Sequence, residues 1–236
     1  MEVRTLLKRG TDHPVNCEDD LFTFNDGSTY IGAVFDGCST GIKSHFASSL
    51  YGKILKDICV NLRNNLGKDI SLVSPSYLGK FIYGAIYTQL NHFKNRLTLD
   101  NLEILSTMIL VVIRDGVSYI LVSGDGCVYV DGKEIKIESP GNAPDYLAYH
   151  LDGAIDGFLS LKEYSFDFEH TISVCSDGIY SFTDKDKKDV SDTVIQILLE
   201  NESLLKSEAM LARKYNLLLK ESYSNYDDLS IVRFIK

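Results

Sequence analysis

The 236-residue chain has no tryptophan and only four prolines, and no apolar run approaches the roughly 20 residues that a membrane span needs. Its five cysteines, Cys17, Cys38, Cys59, Cys127 and Cys175, are odd in number and show no Cys-x-x-Cys spacing. That pattern argues against a disulfide framework and a structural zinc site, and the thiols read as reduced, core-compatible residues near strand ends. Basic residues are also scarce, 24 Lys and Arg against 33 Asp and Glu, for a net charge of -9 and a pI near 5.0. Binding to nucleic acid or to an anionic membrane requires clustered Lys and Arg, so neither is expected. The densest stretch, Lys185 to Lys188, is broken by Asp186 and reads as a solvated loop. The opening MEVRTLLKRGTDHP lacks the apolar run of a secretory leader, which gives the expectation of a cytoplasmic chain. No repeat or Pro/Gly/Ser-rich linker marks a boundary, and 44% hydrophobic content suits one domain over residues 1–236.

What the chain does have is aspartate at the ends of apolar stretches. AVFDG carries Asp36, LVSGDG contains Asp125, SVCSDG contains Asp177, and in YDDLSIVRF Asp227 stands at the beginning of a strand. An isolated ionised carboxylate in a dry interior costs several kcal/mol or more, so several together need a counter-charge. The four motifs hold no Lys or Arg before Arg233. A divalent cation meets the need, and oxygen-only donors point to the hard ions Mg2+, Mn2+ or Ca2+ rather than zinc. The glycines Gly37, Gly126 and Gly178 are expected to let the backbone turn tightly and expose a carbonyl. A fifth acidic cluster, Asn16-Cys17-Glu18-Asp19-Asp20, supplies further oxygens. One Asp-Gly alone would be a turn signal; four acidic strand ends together are not explained that way.

Short segments rich in Val, Ile, Tyr, Phe and Thr predict strands over 3–8, 21–24, 29–35, 107–114, 118–123, 127–130, 171–175 and 229–235. Asn25-Asp26-Gly27, Asp115-Gly116 and Asp131-Gly132 predict hairpins, hence largely antiparallel sheets. Ile42, Phe46, Leu50, Ile54 and Ile58 recur every four residues and predict a helix over about 41–65; Leu78, Ile82, Ile86 and Leu90 predict another over 75–94. Two more are expected at 191–199 and 207–221. The fold class is therefore α+β, two stacked sheets with helices on their outer faces. The strands ending at Asp36 and Asp177 are expected to flank the strand starting near Asp227, with all three carboxylates at one rim of one sheet. Residues 134–169 look least regular and are expected to form a flap or substrate-facing loop.

In order and approximate spacing, NCEDD, VFDGCSTG, Ser106-Thr107, SGDGCVYV, SVCSDGIYSF and YDDLSIVRF resemble the motifs of the metal-dependent serine/threonine protein phosphatases of type 2C, across essentially the whole chain. The resemblance implies a four-layer α-β-β-α sandwich with a two-ion Mg2+ or Mn2+ centre at one edge. It implies that Asp36 bridges the ions, that Asp177 and Asp227 complete the first site, and that Glu18 and the Gly37 carbonyl serve the second. Asp19 would orient water, and Asp125 would help to hold a third ion. It further implies phosphoserine and phosphothreonine proteins as substrates, in-line attack by a water bridging the ions, no covalent intermediate, and a cognate protein kinase in the same pathway.

Two positions depart from the pattern. Cys38 stands where eukaryotic members have histidine, and Asp12-His13-Pro14-Val15 occupies the place where many members carry a phosphate-gripping arginine. His13 is the candidate replacement for that arginine. The departures also motivate an alternative, a weak or inactive metal-binding regulatory module on the same fold. A carboxylate-metal nuclease is a third reading, disfavoured by the acidic composition.

Overall fold

A computed structural model describes residues 1–66, 73–139, 141, 144–151, 161–200 and 209–236. In chain order come β1 (Glu2–Lys8), β2 (Asp19–Asn25), β3 (Thr29–Asp36), α1 (Ser44–Leu66) and α2 (Pro75–Leu97). There follow β4 (Met108–Arg114), β5 (Val117–Ser123), β6 (Gly126–Val130), β7 (Lys133–Ile137), β8 (Lys162–Asp167) and β9 (Thr171–Cys175). Last are β10 (Phe182–Thr183), α3 (Ser191–Ile195), α4 (Met210–Lys220), β11 (Ser224–Asn225) and β12 (Leu229–Ile235). One five-stranded sheet runs β1-β12-β9-β6-β7, the other β2-β3-β4-β5-β8, and each strand pairing in them is antiparallel.

The central strands are buried on both faces, so their side chains divide by parity. From β4, Met108, Leu110 and Val112 join Ile54, Ile58, Ile82 and Ile86 of α1 and α2 in an outer core. Ile109, Val111 and Ile113 point the other way, meeting Val128, Val174, Val232 and Phe234 between the sheets. Cys127, Cys175, Leu229 and Ile231 of the opposite sheet face Val194, Leu198, Leu211 and Leu218 in a third core. The layers are therefore helices, sheet, sheet, helices.

Local chemistry sets the connections. At the Asp115-Gly116 and Asp131-Gly132 hairpins the two loop residues are left-handed, as the tight turn requires: φ is 49° at Asp115 and 82° at Gly116, 45° at Asp131 and 85° at Gly132. Ser74 caps α2, accepting from the Tyr77 amide, with Pro75 in the first turn and Thr98 left-handed at the end. α1 starts at Ser44, so Ile42 lies before it and is exposed instead of continuing the apolar face. The helix expected over 191–199 is α3, which widens into a π-helical turn at Gln196–Glu200. The start of the one expected over 207–221 lies partly outside the described residues, and α4 covers Met210–Lys220.

Of the segment 134–169, expected to form a flap or substrate-facing loop, residues 140, 142–143 and 152–160 lie outside the described residues; the described part is more regular than expected. It contains most of β7 and all of β8, outermost strands whose Lys and Glu residues face solvent. Such charges are common on edge strands, where they discourage pairing with other chains, and they mask the strand pattern in the sequence.

Candidate metal centre

The carboxylates meet where the two sheets come together, not along the rim of one. Asp177, directly after β9, and Asp227, just before β12, belong to neighbouring strands of one sheet, whereas Asp36 ends β3 in the other. The expectation that all three share a sheet is thus corrected: one comes from one sheet and two from the other. On the Asp36 side, β2 and β3 pair so that Asp19 is directly opposite Asp36. The Gly37 amide donates to the Glu18 carbonyl at 3.0 Å, and the Thr107 amide donates to the Asp36 carbonyl at 2.8 Å, fixing that corner to the Ser106-Thr107 turn.

Two glycines are demanded by close approach, not by a left-handed turn. A Cβ on Gly37 would lie 2.1 Å from the Ser44 carbonyl oxygen, and one on Gly178 would lie 1.7 Å from that of Asp228. Only glycine lets the chain after Asp177 press against the start of β12 and the chain after Asp36 press against α1.

Asp228 is the residue that the sequence reading left without a role. It is buried, accepts from the Gly10 amide at 2.6 Å and from the Glu18 amide, and its Oδ2 sits 2.8 Å from His13 Nδ1. It therefore ties residues 10–18 to the start of β12. The doubled Asp in YDDL was the available signal, but sequence alone does not say which of the two turns inward. Asp227 stays half-buried at the rim. His13 is held among three acids, with Nε2 3.7 Å from Glu18 and 3.8 Å from Asp227. Burial pulls its pKa down, but Asp228, Glu18 and Asp227 outweigh this and the net direction is up.

The crowding shows in the acids themselves. Burial, followed by the charges of Asp19, Asp177 and Asp227, holds Asp36 well above the usual carboxylate range. Of its acidic neighbours across the sheets, Asp177 acts on it most, and two such carboxylates side by side disfavour ionising both. Burial first, then Asp227 and Asp125, pushes Asp177 up to about 6. Burial pushes the enclosed Asp19 up to about 8, although the Ser176 and Ser230 hydroxyls face it. Asp125 and Asp227 are raised as well, chiefly by burial.

Among the described residues, no three His, Cys, Asp or Glu side chains are already drawn into a coordination cluster. The donor set nevertheless fits hard cations. Buried oxygens of Glu18 (Oε2), Asp19 (Oδ1 and Oδ2) and Asp177 (Oδ1) have no well-formed hydrogen bond, which is the donor set a hard cation would satisfy. A groove opens over these acids in two arms. One, of about 530 Å³, is lined by Asp36, Asp177 and Asp227 with Cys38, Tyr146 and Tyr149; the other, of about 770 Å³, carries Lys136, Tyr180 and Tyr226. Asp125, Asp177 and Asp227 line both arms.

No family model matches the chain, and no curated protein matches its sequence. Solved structures do match it in shape. A bacterial serine phosphatase superposes with a TM-score of 0.70 at 16% identity, covering 100% of this chain and 97% of the other. The serine/threonine phosphatase Stp1 from Staphylococcus aureus gives 0.67 at 16% identity over 100% and 94%. RsbX, solved in complex with magnesium, gives 0.57 at 16% identity over 99% and 96%. The fold is that of the type 2C phosphatases.

Within this type 2C fold the structure brings Glu18, Asp19, Asp36, Gly37, Asp177, Asp227 and His13 to one corner, with Asp125 on the floor between the two arms of the groove. Cys38 is half-buried, its amide donating to the Leu105 carbonyl at 3.1 Å and its Sγ 3.1 Å from Thr40 Oγ1. The sequence reading missed Asp228, Tyr146, Tyr149 and Lys136. The last three lie on segments without a motif of their own, and only the tertiary fold brings them to the groove. No helix of the described residues is long and apolar enough to cross a membrane.

Proposed function

We propose that the chain is a Mg2+- or Mn2+-dependent phosphatase that hydrolyses phosphoserine and phosphothreonine esters in proteins, acting as one catalytic domain. The observation that carries this reading is the gathering of underbonded, proton-retaining carboxylates from both sheets at the floor of an open groove, on a fold shared end to end with serine/threonine phosphatases. Glu18, Asp36, Asp177, Asp227 and the Gly37 carbonyl would hold two ions, and Asp125 with Asp177 a third. Such ions supply Lewis acidity toward phosphoryl oxygens and a water acidic enough to ionise near neutral pH.

The chain's own residues do the rest. Asp36 and Asp177, whose proton affinities are raised by burial and by neighbouring acids, would release protons as the centre fills. Asp19, enclosed beside Ser176 and Ser230, is placed to accept a proton or hydrogen bond from a water at the rim and so to orient it. His13, kept in place by Asp228, is the cation offered to a substrate phosphate where an arginine is missing. The groove admits an extended segment on either side of the acids. A cytoplasmic location and a cognate kinase belong to the same proposal.

The test is p-nitrophenyl phosphate hydrolysis, expected to require Mn2+ or Mg2+ and to disappear in Asp36→Asn and Asp177→Asn while both variants stay folded. Full activity in excess EDTA rejects the reading. Mn2+ binding by calorimetry without turnover of any phosphopeptide would instead identify the regulatory module, and cleavage of bis-p-nitrophenyl phosphate in preference to the monoester would favour a phosphodiesterase.

A further inference from the structure

Residues 144–151 are fastened at both ends. Ser123 Oγ donates to the Asp145 carbonyl at 3.0 Å, His150 Nε2 lies 2.8 Å from Asp145 Oδ1, and the Tyr87 hydroxyl donates to the His150 carbonyl at 2.9 Å. Between these clasps the turn Leu147–His150 buries Leu147 and Ala148 in the core under α1 and α2. The face it turns to the groove is aromatic. Tyr146 is buried and meets Tyr149 edge-on with ring centroids 5.5 Å apart and planes at 70°. Tyr149 is left 53% exposed at the lip. Both rings and Pro144 line the same 530 Å³ arm as Asp36, Asp177 and Asp227.

We propose that Pro144, Tyr146 and Tyr149 form a shelf that receives an aromatic side chain adjacent to the phosphorylated residue of the substrate. The inference rests on the phosphatase reading for where the phosphate sits; the shelf adds its neighbour. Because one cavity is continuous from the carboxylates to the rings, a segment anchored at the acids lays its next side chain over Tyr149. The turn is already ordered by its clasps, so little ordering cost falls on binding. An aromatic residue stacked against Tyr149 gains ring–ring contact as well as burial, corresponding to about fivefold to tenfold in affinity. The surrounding acids disfavour Asp or Glu at the same place.

The test uses the full chain with Mn2+ and fluorescein-labelled phosphoserine peptides that differ only in the residues flanking the phosphoserine: Phe, Leu, Ala or Asp. By fluorescence anisotropy the Phe peptide should bind at least fivefold more tightly than the Ala peptide, with Leu and Asp weaker than Phe. Tyr149→Ala should bring the Phe and Ala peptides within twofold of each other, and Tyr149→Phe should keep the preference; Tyr149 is exposed enough for both variants to fold. Equal affinities for Phe and Ala, Leu binding as well as Phe, a ratio unchanged in Tyr149→Ala, or no peptide binding at millimolar concentration each overturn the shelf. Hydrolysis of p-nitrophenyl phosphate is read separately. Its absence refutes the phosphatase reading, while the anisotropy ratio still decides the shelf.

Discussion

In the ion-free protein, stability should fall as pH rises from 5 to 8, opposite to ordinary acid denaturation. Asp19 at about 8, Asp177 at about 6 and Asp36 well above the usual range all titrate near 3.8 when unfolded. In between, the folded chain holds protons that the unfolded chain has released. The stability these groups contribute is therefore full below about pH 4 and is lost as pH rises through the folded values. Each retained proton corresponds to about 1.4 kcal/mol per pH unit. For a chain of this length that is about 3–6 °C of Tm per pH unit per proton. His13, with its raised value, acts in the same direction. The lowered carboxyls Asp131 and Asp189 act only below this window, and Lys214, lowered to about 8 by burial and Arg233, acts only above it. The assay is thermal unfolding by circular dichroism in EDTA at pH 5, 6, 7 and 8, repeated with Mn2+. Cations compete with protons for the same oxygens, so Mn2+ should stabilise more at pH 8 than at pH 5 and flatten the slope. Asp19→Asn should remove roughly one proton's share, about 1.4 kcal/mol per pH unit. Stability in EDTA that is flat or increases from pH 5 to 8 would refute the reasoning.

Gly178→Ala puts a Cβ into the Asp228 carbonyl and should cost about 3 kcal/mol or more, seen as a lower urea midpoint together with weakened Mn2+ binding. Asp228→Ala strands the Gly10 and Glu18 amides, at a cost of about 2–4 kcal/mol, and should loosen residues 10–18, measured as faster amide exchange there. Asp125→Asn should leave the two-ion site in place, with calorimetry showing tight Mn2+ binding retained and only a weaker event lost.

The strands and helices were legible because β3, β4, β9 and β12 carry β-branched and aromatic residues, most of them bounded by Asp-Gly turns, and because α1 and α2 repeat their apolar residues every four positions. The edge strands β7 and β8 were not, since Lys133, Glu134, Lys162 and Glu163 look like loop chemistry in a linear reading. The acids of the site could be named from sequence, but not their distribution between sheets. Strand order is set by long-range packing, and nothing local to AVFDG or SVCSDG says that their strands belong to different layers. Asp228 shows the same limit at the scale of one residue: of two adjacent aspartates it is the one buried, and the contacts that bury it, from the Gly10 and Glu18 amides and from His13, come from far along the chain.

Drawing its acids from both sheets makes the dry layer between them a ruler for the centre. The gap from Asp36 to Asp177 and Asp227 is set by the bulk of Val34, Ile109, Val174 and Val232, apolar residues with no chemistry of their own. Cores accept volume changes by small shifts of whole elements. Trading a methyl group in that layer would therefore shift these carboxylates relative to one another from a distance and, on the proposed two-ion reading, retune ion affinity through residues that never touch an ion.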